Sequence, residues 1–340
     1  MFEFRRDDQH PIDHRARMRR RLATLLAAGS VAIAGAACAF PDADDASAFQ
    51  AQSPSVRTLM LTLDNGDAAD VYLPRIRSRF PDWFEDSLPL VAVLQGALVD
   101  KSQYRQLAMQ LARRGHVVVV PNHFRSFPPA FPDPVLFSEV GVVTAVYTTM
   151  VAADADPSSP LFRVVDIESM AVIGHSLGGR VGLTALAGVC EPAICTAPDG
   201  TYTPPAALRT GAFYGTNMLG FDGVVTDLDT SGVAVALVQG SLDGISTPDK
   251  ADATYPTLES PRGRIDIEGA NHYGITDRND PPGARPDPLQ PTLPQPKANH
   301  DVAQWIGYWL RFHLRDDPWA ELWLYIIGGS YNGIVEVTTD

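Results

Sequence analysis

The sequence predicts an α/β fold in which helices cover both faces of a mostly parallel sheet. Continuous apolar segments such as residues 88–94 and 117–120 are typical of strands buried on both faces of such a sheet. Segments with apolar residues at helical spacing lie between the strands, and this alternation is the pattern of a doubly covered sheet. The chain has 340 residues, 45% of them hydrophobic and 20% charged, which suffices for one large domain after a leader.

The N-terminal part of the chain has the layout of an export leader. Arginines are concentrated within residues 15–21, and the apolar segment 22–37 is rich in Ala and Gly and short for a membrane span. Small residues suitable for cleavage follow around Cys38. We expect a signal peptide and leader over residues 1–48, one domain over residues 49–340, and an exported protein, periplasmic or secreted. The arginine pair before the weakly apolar segment hints at a twin-arginine leader. A lipid anchor at Cys38, a disordered arm and an uncleaved anchor helix are the alternatives.

Charge and cysteine content restrict the partners and the compartment. The formal net charge of −13 argues against nucleic acid and against an anionic membrane surface as partners. Cys190 and Cys195 are close in sequence, and in an oxidising compartment we expect them to form a disulfide, with two buried free thiols as the alternative. No His or second Cys pair lies nearby at metal-ligand spacing, so we expect neither a metal nor a cofactor. We expect a monomer with no membrane span in the mature chain.

The first half of the predicted domain begins with a hairpin. Two strand-like segments, residues 56–63 and 69–73, flank an Asn-Gly turn, which is a strong hairpin signal and makes these strands antiparallel. A helix that begins at Asp100 or Ser102 and ends at Gly115 then separates the two buried strands. These elements predict a hairpin followed by a strand, a helix and a strand.

The second half continues the alternation of strands and helices. We expect helices over residues 139–152 and 301–314, and strands at residues 170–173, 211–214, 233–239 and 265–268. The Pro-rich segment 281–296 is expected to form an extended surface loop.

One strand leads directly into a serine within a G-x-S-x-G motif. Residues 170–173 are apolar, Gly174-His175-Ser176-Leu177-Gly178 follow, and small and apolar residues continue as a helix. Such a strand–turn–helix forces its serine into a strained conformation that exposes the hydroxyl at the edge of a sheet. The free N–H groups and the positive dipole end of the new helix face any oxyanion formed there. Ser176 is therefore our candidate nucleophile, and a serine in an ordinary strand-to-helix turn is the alternative.

Two further polar residues follow later strands and complete the pattern. Asp243 comes just after the strand at residues 233–239, and His272 lies in a loop of small residues after the strand at residues 265–268. The order Ser, Asp, His is a known order of catalytic triads, with His272 as base and Asp243 as the carboxylate that orients it. Asp243 as a simple turn residue is the alternative, with Asp249 or Asp252 as the acid.

Backbone N–H groups are expected to stabilise the oxyanion in this arrangement. One donor should be the N–H of Leu177, directly after the nucleophile, and the other should be the N–H of Ala97, in the loop after the strand at residues 88–94.

These motifs resemble the α/β-hydrolase superfamily, in particular its chlorophyllase-like, dienelactone-hydrolase-like and polyester-hydrolase-like serine esterases. The resemblance covers residues 56–317 and is carried by LQGA, VVVVPNH, GHSLGG, QGSLDG and GANHYG. The His-Gly often found at the oxyanion loop of this family is Gln95-Gly96 here, which does not matter if the donor is a backbone N–H. The resemblance implies hydrolysis of carboxylic esters through an acyl-enzyme, on a small-molecule or lipid-like substrate.

The substrate-contacting residues are predicted from aromatic side chains near the same sheet edge. Phe124 and Phe127 follow the strand at residues 117–120, and Tyr273 follows the predicted base. The alternative is that these aromatic side chains only pack beneath a long loop. Transfer of the acyl group to an acceptor other than water, and a non-catalytic binding protein on the same scaffold, are the alternative functions.

Overall fold

The computed structural model describes residues 55–75, 87–127, 130–197, 199–220, 222–328 and 333–340. Residues Ser53–Asp340 make one compact unit. The predicted leader, residues 1–48, and with it Cys38, lies outside the described residues.

The secondary structure of the described chain alternates as the sequence predicts. The strands are β1 (Val56–Thr62), β2 (Ala68–Pro74), β3 (Leu88–Leu94), β4 (Val117–Asn122), β5 (Phe124–Phe127), β6 (Phe131–Leu136), β7 (Val165–His175), β8 (Leu208–Tyr214), β9 (Ala234–Gly240), β10 (Arg262–Ile267) and β11 (Val335–Thr339). The α-helices are α1 (Arg105–Arg113), α2 (Gly141–Ala155), α3 (Leu177–Leu186), α4 (Pro248–Thr254), α5 (Gln295–Arg315) and α6 (Pro318–Leu322), with a 3₁₀ turn at Lys101–Tyr104.

Most of these strands form one large sheet, in the order β1-β2-β4-β3-β7-β8-β9-β10-β11. The six strands from β4 to β10 in this order run parallel to their neighbours. Antiparallel pairs flank them, with β1 and β2 at one edge and β11 at the other. The predicted mixed α/β class, with a mostly parallel sheet and an antiparallel N-terminal hairpin, is therefore confirmed.

The two faces of the sheet carry separate apolar cores. Side chains alternate along β7, so that Met170 and Val172 pack on one face while Ala171 and Ile173 pack on the other. Helices α2 and α3 cover the first face, and helices α1 and α5 cover the second. Every residue of β3 is buried because both of its faces are covered, which explains its unbroken apolar sequence.

The structure differs from the sequence-based expectations at four places. The closing helix, expected over residues 301–314, begins at Gln295, because prolines are accepted in the first turn of a helix. The Pro-rich loop is correspondingly shorter than residues 281–296. The segment after β4, for which the sequence predicted neither a strand nor a helix, forms the β5–β6 hairpin, and β11 adds an edge strand beyond residue 317.

Cys190 and Cys195 form the predicted disulfide, in the loop that follows α3. The carbonyl of Ile194 within this loop accepts a hydrogen bond from Val140, next to the start of α2. Within the described ranges, no helix has the length and apolarity needed to cross a bilayer.

Candidate active site

Ser176 lies at the turn between the end of β7 and the start of α3. Its backbone has φ 54° and ψ −119°, a conformation that side-chain-bearing residues adopt only when the surroundings hold it. Its N–H donates to the carbonyl of Tyr214 at 2.9 Å, and its own carbonyl accepts from Thr216 Oγ1 at 2.9 Å. Hydrogen bonds on both sides therefore hold the strained residue in place.

Two glycines make the sharp turn possible. A Cβ atom on Gly174 would lie 2.3 Å from the carbonyl oxygen of Gly178, and a Cβ atom on Gly178 would lie 2.3 Å from the carbonyl oxygen of Leu94. Both contacts are with backbone atoms, which have no room to move aside. The G-x-S-x-G spacing is thus required by the close approach of β3, β7 and α3.

Asp243 and His272 form a buried hydrogen-bonded pair. Their side chains are 0% and 2% exposed, and Asp243 Oδ2 lies 2.8 Å from His272 Nδ1. The other carboxylate oxygen accepts the N–H groups of Ile245 at 2.9 Å and Ser246 at 2.7 Å. Because a carboxylate only accepts, Nδ1 carries the hydrogen and Nε2 is left as the nitrogen that can take a proton.

The pair also depends on a glycine from a third strand end. Gly215, which follows β8, has φ +57°, and a Cβ atom there would lie 2.8 Å from Asp243 Oδ2 and 3.0 Å from His272 Nδ1. Any side chain at this position would therefore push the pair apart.

Ser176 and His272 line one cavity of about 170 Å³. The lining residues are Gly96, Ala97, Leu98, Val99, His175, Ser176, Ile245, His272, Tyr273 and Arg285. They come from the last residue of β7, the turn after it, and the loops after β3, β9 and β10, so the cavity lies at the carboxyl edge of the parallel strands. Among the described residues, the Ser176 hydroxyl has no hydrogen-bond partner.

Two backbone N–H groups near the serine remain available as donors. In the loop after β3, the N–H of Gly96 donates to Tyr104 Oη at 2.8 Å and that of Leu98 donates to the carbonyl of Leu136 at 2.8 Å. The N–H of Ala97, between them, donates no hydrogen bond within the described part of the chain. Leu177 is the first residue of α3, so its N–H has no acceptor within the helix.

Asp287 is a residue of the site that sequence reasoning did not assign to it. Its carboxylate is buried and accepts the N–H of His272 at 2.8 Å, that of Gly244 at 3.1 Å and that of Leu289 at 2.8 Å. It therefore joins the loop after Asp243 to the loop of His272. Only the bond to Leu289 is local enough to be expected from sequence, since an Asp readily accepts the N–H two residues later.

Of the three residues predicted to contact the substrate, one lines the cavity, one does not, and the side chain of the third is not described. Tyr273 lines the cavity, its hydroxyl donates to the carbonyl of Arg285, and burial raises its pKa to about 12. Phe124 lies in β5, is 54% exposed, and does not line the cavity. The side chain of Phe127 lies outside the described residues. Leu98 and Arg285, which the sequence did not single out, line the cavity instead.

The alternative acids lie away from the imidazole. Asp252 forms an ion pair with Arg264 at 3.1 Å, and Asp249 lies in the first turn of α4. Across the described ranges, no group of three or more His, Cys, Asp or Glu side chains is placed to hold a metal ion.

Comparisons with family models and with curated proteins found no match to this chain. Its function therefore has to be inferred from the fold and from the geometry of the cavity.

Proposed function

We propose that this protein is a serine hydrolase of the α/β-hydrolase superfamily that cleaves carboxylic esters. The observation that carries the proposal is the meeting, at one cavity, of a strained Ser176 and the Asp243–His272 pair. The strand–turn–helix around the serine and the chain order Ser, Asp, His are those of a nucleophile elbow and its triad. The fold context agrees, because all three residues follow parallel strands of one sheet.

The first half of the reaction forms an acyl-enzyme. His272 Nε2 takes the proton of the Ser176 hydroxyl as Oγ bonds to the carbonyl carbon, and the π electron pair moves to the carbonyl oxygen. The N–H groups of Ala97 and Leu177 stabilise this oxyanion, while Asp243 stabilises the imidazolium. The intermediate then collapses, the bond to the alcohol oxygen breaks, and that oxygen takes the proton from His272.

The second half repeats these steps with water as the nucleophile. His272 takes a proton from water, the hydroxide oxygen bonds to the acyl carbon, and the oxyanion forms again at the same donors. Collapse breaks the bond to Ser176 Oγ, which recovers its proton from His272. The carboxylic acid leaves, and the enzyme returns to its starting state.

The cavity favours a short acyl group. Its volume of about 170 Å³ is small beside the roughly 300–1,000 Å³ of pockets that hold drug-sized ligands. Leu98, Val99 and Ile245 supply apolar lining next to Ser176. We therefore expect acetyl and butyryl esters to be cleaved faster than long-chain esters.

An exported location fits the same proposal. The Cys190–Cys195 disulfide persists in an oxidising compartment such as the periplasm or the extracellular medium. Fractionation of cells that express the full chain tests this location, and recovery in the cytoplasm with both thiols free would contradict it.

The test of the proposed activity compares the parent with Ser176→Ala on p-nitrophenyl esters from C2 to C16. We expect turnover that is highest at C2 to C4, and loss of nearly all of it in Ser176→Ala. Ser231→Ala is the matched control, because Ser231 is exposed and, among the described residues, its hydroxyl bonds only to nearby Asp229. Absence of turnover on every ester, together with no labelling of Ser176 by a serine-directed phosphonate, would contradict the proposal and favour a binding protein. Product analysis with competing alcohols measures how much acyl group goes to acceptors other than water.

A further inference from the structure

A buried series of hydrogen bonds joins three loops around the cavity. The N–H of Gly96 donates to Tyr104 Oη at 2.8 Å, and Tyr104 Oη lies 2.9 Å from His175 Nδ1. On the far side of the ring, His175 Nε2 lies 2.9 Å from the carbonyl oxygen of His272. Tyr104 and His175 are both fully buried, so bulk water does not compete for these bonds. The series thus connects the loop of Ala97, the Ser176 turn and the loop of the base.

The direction of every bond in this series is fixed. The carbonyl of His272 only accepts, so His175 Nε2 must carry a hydrogen. Burial lowers the pKa of His175 well below its ordinary value, and the electrostatic effect of nearby His272 lowers it further. The ring is therefore neutral, and its Nδ1 accepts. The hydroxyl of Tyr104 therefore donates to Nδ1, and its oxygen accepts the N–H of Gly96. Each donor meets one acceptor, with no conflict along the series.

Packing holds the same ring against the backbone of the Ala97 loop. A Cβ atom on Gly96 would lie 2.8 Å from His175 Nδ1, so the ring occupies the space that a side chain would need. The ring centroid of His175 lies 4.9 Å from that of His272 and 5.9 Å from that of Tyr104. Displacement of the His175 ring would therefore move both loops.

We propose that Tyr104 and His175 are positioning residues, which set the distance between the oxyanion donor at Ala97 and the base His272. This inference rests on the proposed hydrolase function. Both loops must be in place at once in the transition state, when His272 holds the serine proton and the N–H of Ala97 meets the oxyanion. A misplacement of about 1 Å in such an arrangement costs about 100-fold in rate. An ester binds in its ground state without the contact between the Ala97 N–H and the oxyanion and without proton transfer to His272. Misplacement of the two loops should therefore lower kcat rather than raise KM.

The first test is Tyr104→Phe, which removes one oxygen and leaves the ring. The Gly96 N–H and His175 Nδ1 both lose their partner, so we expect kcat to fall about 10- to 100-fold while KM changes less than about threefold. The rate at which a p-nitrophenyl phosphonate labels Ser176 should fall by a similar factor, because that reaction also places negative charge at the oxyanion donors.

The matched control is Tyr202→Phe, a partly buried tyrosine, whose hydroxyl accepts from Thr144 of α2 at 3.4 Å and has no other partner among the described residues. It should keep the parent kcat, and thermal unfolding of both variants shows whether they are folded. A folded Tyr104→Phe variant with kcat within about twofold of the parent would overturn the proposal. If Tyr104→Phe does not fold, His175→Gln is judged by the same kcat criterion, because its amide still reaches the His272 carbonyl but not both partners.

A separate measurement distinguishes failure of this inference from failure of the proposed function. Nitrogen NMR shifts of the His175 ring at pH 7 should show a protonated Nε2 and an unprotonated Nδ1, whether or not the protein cleaves esters. A protonated Nδ1 would overturn the inference even in an active enzyme. An inactive parent with no phosphonate labelling would overturn the hydrolase function instead. The hydrogen bonds through Tyr104 and His175 would then have no catalytic role.

Discussion

Asp287 joins two loops of the site through its buried carboxylate. The side chain is 3% exposed, and its oxygens face the N–H groups of His272, Gly244 and Leu289. A carboxylate can accept at both oxygens, whereas an amide presents an NH₂ group in place of one of them. Asp287 therefore has to be a carboxylate, because both of its oxygens face N–H donors. It accepts these hydrogen bonds without being part of the Asp243–His272 pair.

The first prediction concerns Asp287→Asn. The amide NH₂ would face a backbone N–H donor, so the loop of His272 should shift, with kcat/KM lower by about 10- to 100-fold. The free energy of unfolding should fall by about 1–3 kcal/mol, the cost of an unsatisfied buried donor. Steady-state kinetics and urea unfolding measure the two effects. Asp280→Asn, an exposed position in the same segment, should change neither, and equal kinetics in both variants would contradict the prediction.

The second prediction concerns Gly215→Ala, and Gly223→Ala is its control. Both glycines have positive φ, +57° and +80°, so a new Cβ strains the backbone in either variant. Only at Gly215 would the Cβ also meet Asp243 Oδ2, at 2.8 Å, whereas the space around Gly223 is open. We expect backbone strain to cost both variants about 1–2 kcal/mol of stability, with a further loss in Gly215→Ala from the contact, and only Gly215→Ala to lose about 100-fold or more in kcat/KM. Equal activity in the two variants would show that the contact is unimportant.

At the scale of elements, local patterns identify the strands that are buried on both faces. The bounds predicted for β3, residues 88–94, are those observed, because its apolar run has polar or turn residues at both ends. The β5–β6 hairpin and β11 could not be recognised in the same way. These strands form because of the strands they pair with: Phe124 pairs with Leu136 in the hairpin, and Val335 of β11 pairs with Ile267 of β10. The segment of β6 contains two prolines, which argue against a strand. The segment of β11 does alternate, with Val335 and Val337 buried, but its place in the sheet depends on pairing with β10, which is distant in the sequence.

The third prediction concerns the disulfide loop after α3. Cys190 and Cys195 close a short loop, so replacing both with Ser should lower the free energy of unfolding by about 2 kcal/mol. The loop touches α2 through the Ile194 carbonyl rather than the cavity, so activity should remain near that of the parent. Urea unfolding of the parent, with and without a reductant, should reproduce the same difference. Unchanged stability on reduction would contradict this account.

At the scale of the whole molecule, the site is assembled at the carboxyl edge of the parallel strands. The position of Ser176, Asp243 and His272 at this edge could be predicted, because Ser176 directly follows β7 and the other two lie in the loops after β9 and β10. The contacts of Asp287 and Tyr104 could not, because they arise where loops that are distant in sequence meet above the sheet. Tyr104 is separated by 71 residues from its partner His175, and no local pattern reports that contact.

The last prediction concerns the pH dependence of folding. His116 is fully buried, and burial lowers its pKa to about 3. Burial likewise lowers the pKa of His175 well below 6.5. Between the folded and the unfolded pKa, only the unfolded chain binds these protons, so the stability is complete above pH 6.5 and falls as the pH is lowered from there towards 3. Each of the two histidines should contribute a slope of about 1.4 kcal/mol per pH unit.

Urea unfolding at pH 8, 7, 6 and 5 measures this slope before most carboxylates begin to titrate. The contribution of these two histidines to the free energy of unfolding should not change with pH above pH 7, and it should decline below pH 6.5. His116→Leu should reduce the slope between pH 6 and 5 by about 1.4 kcal/mol per unit, whatever its stability at pH 7. A variant with the parent slope would show that His116 is protonated in the folded protein, and that its burial is offset by a partner which stabilises the charge.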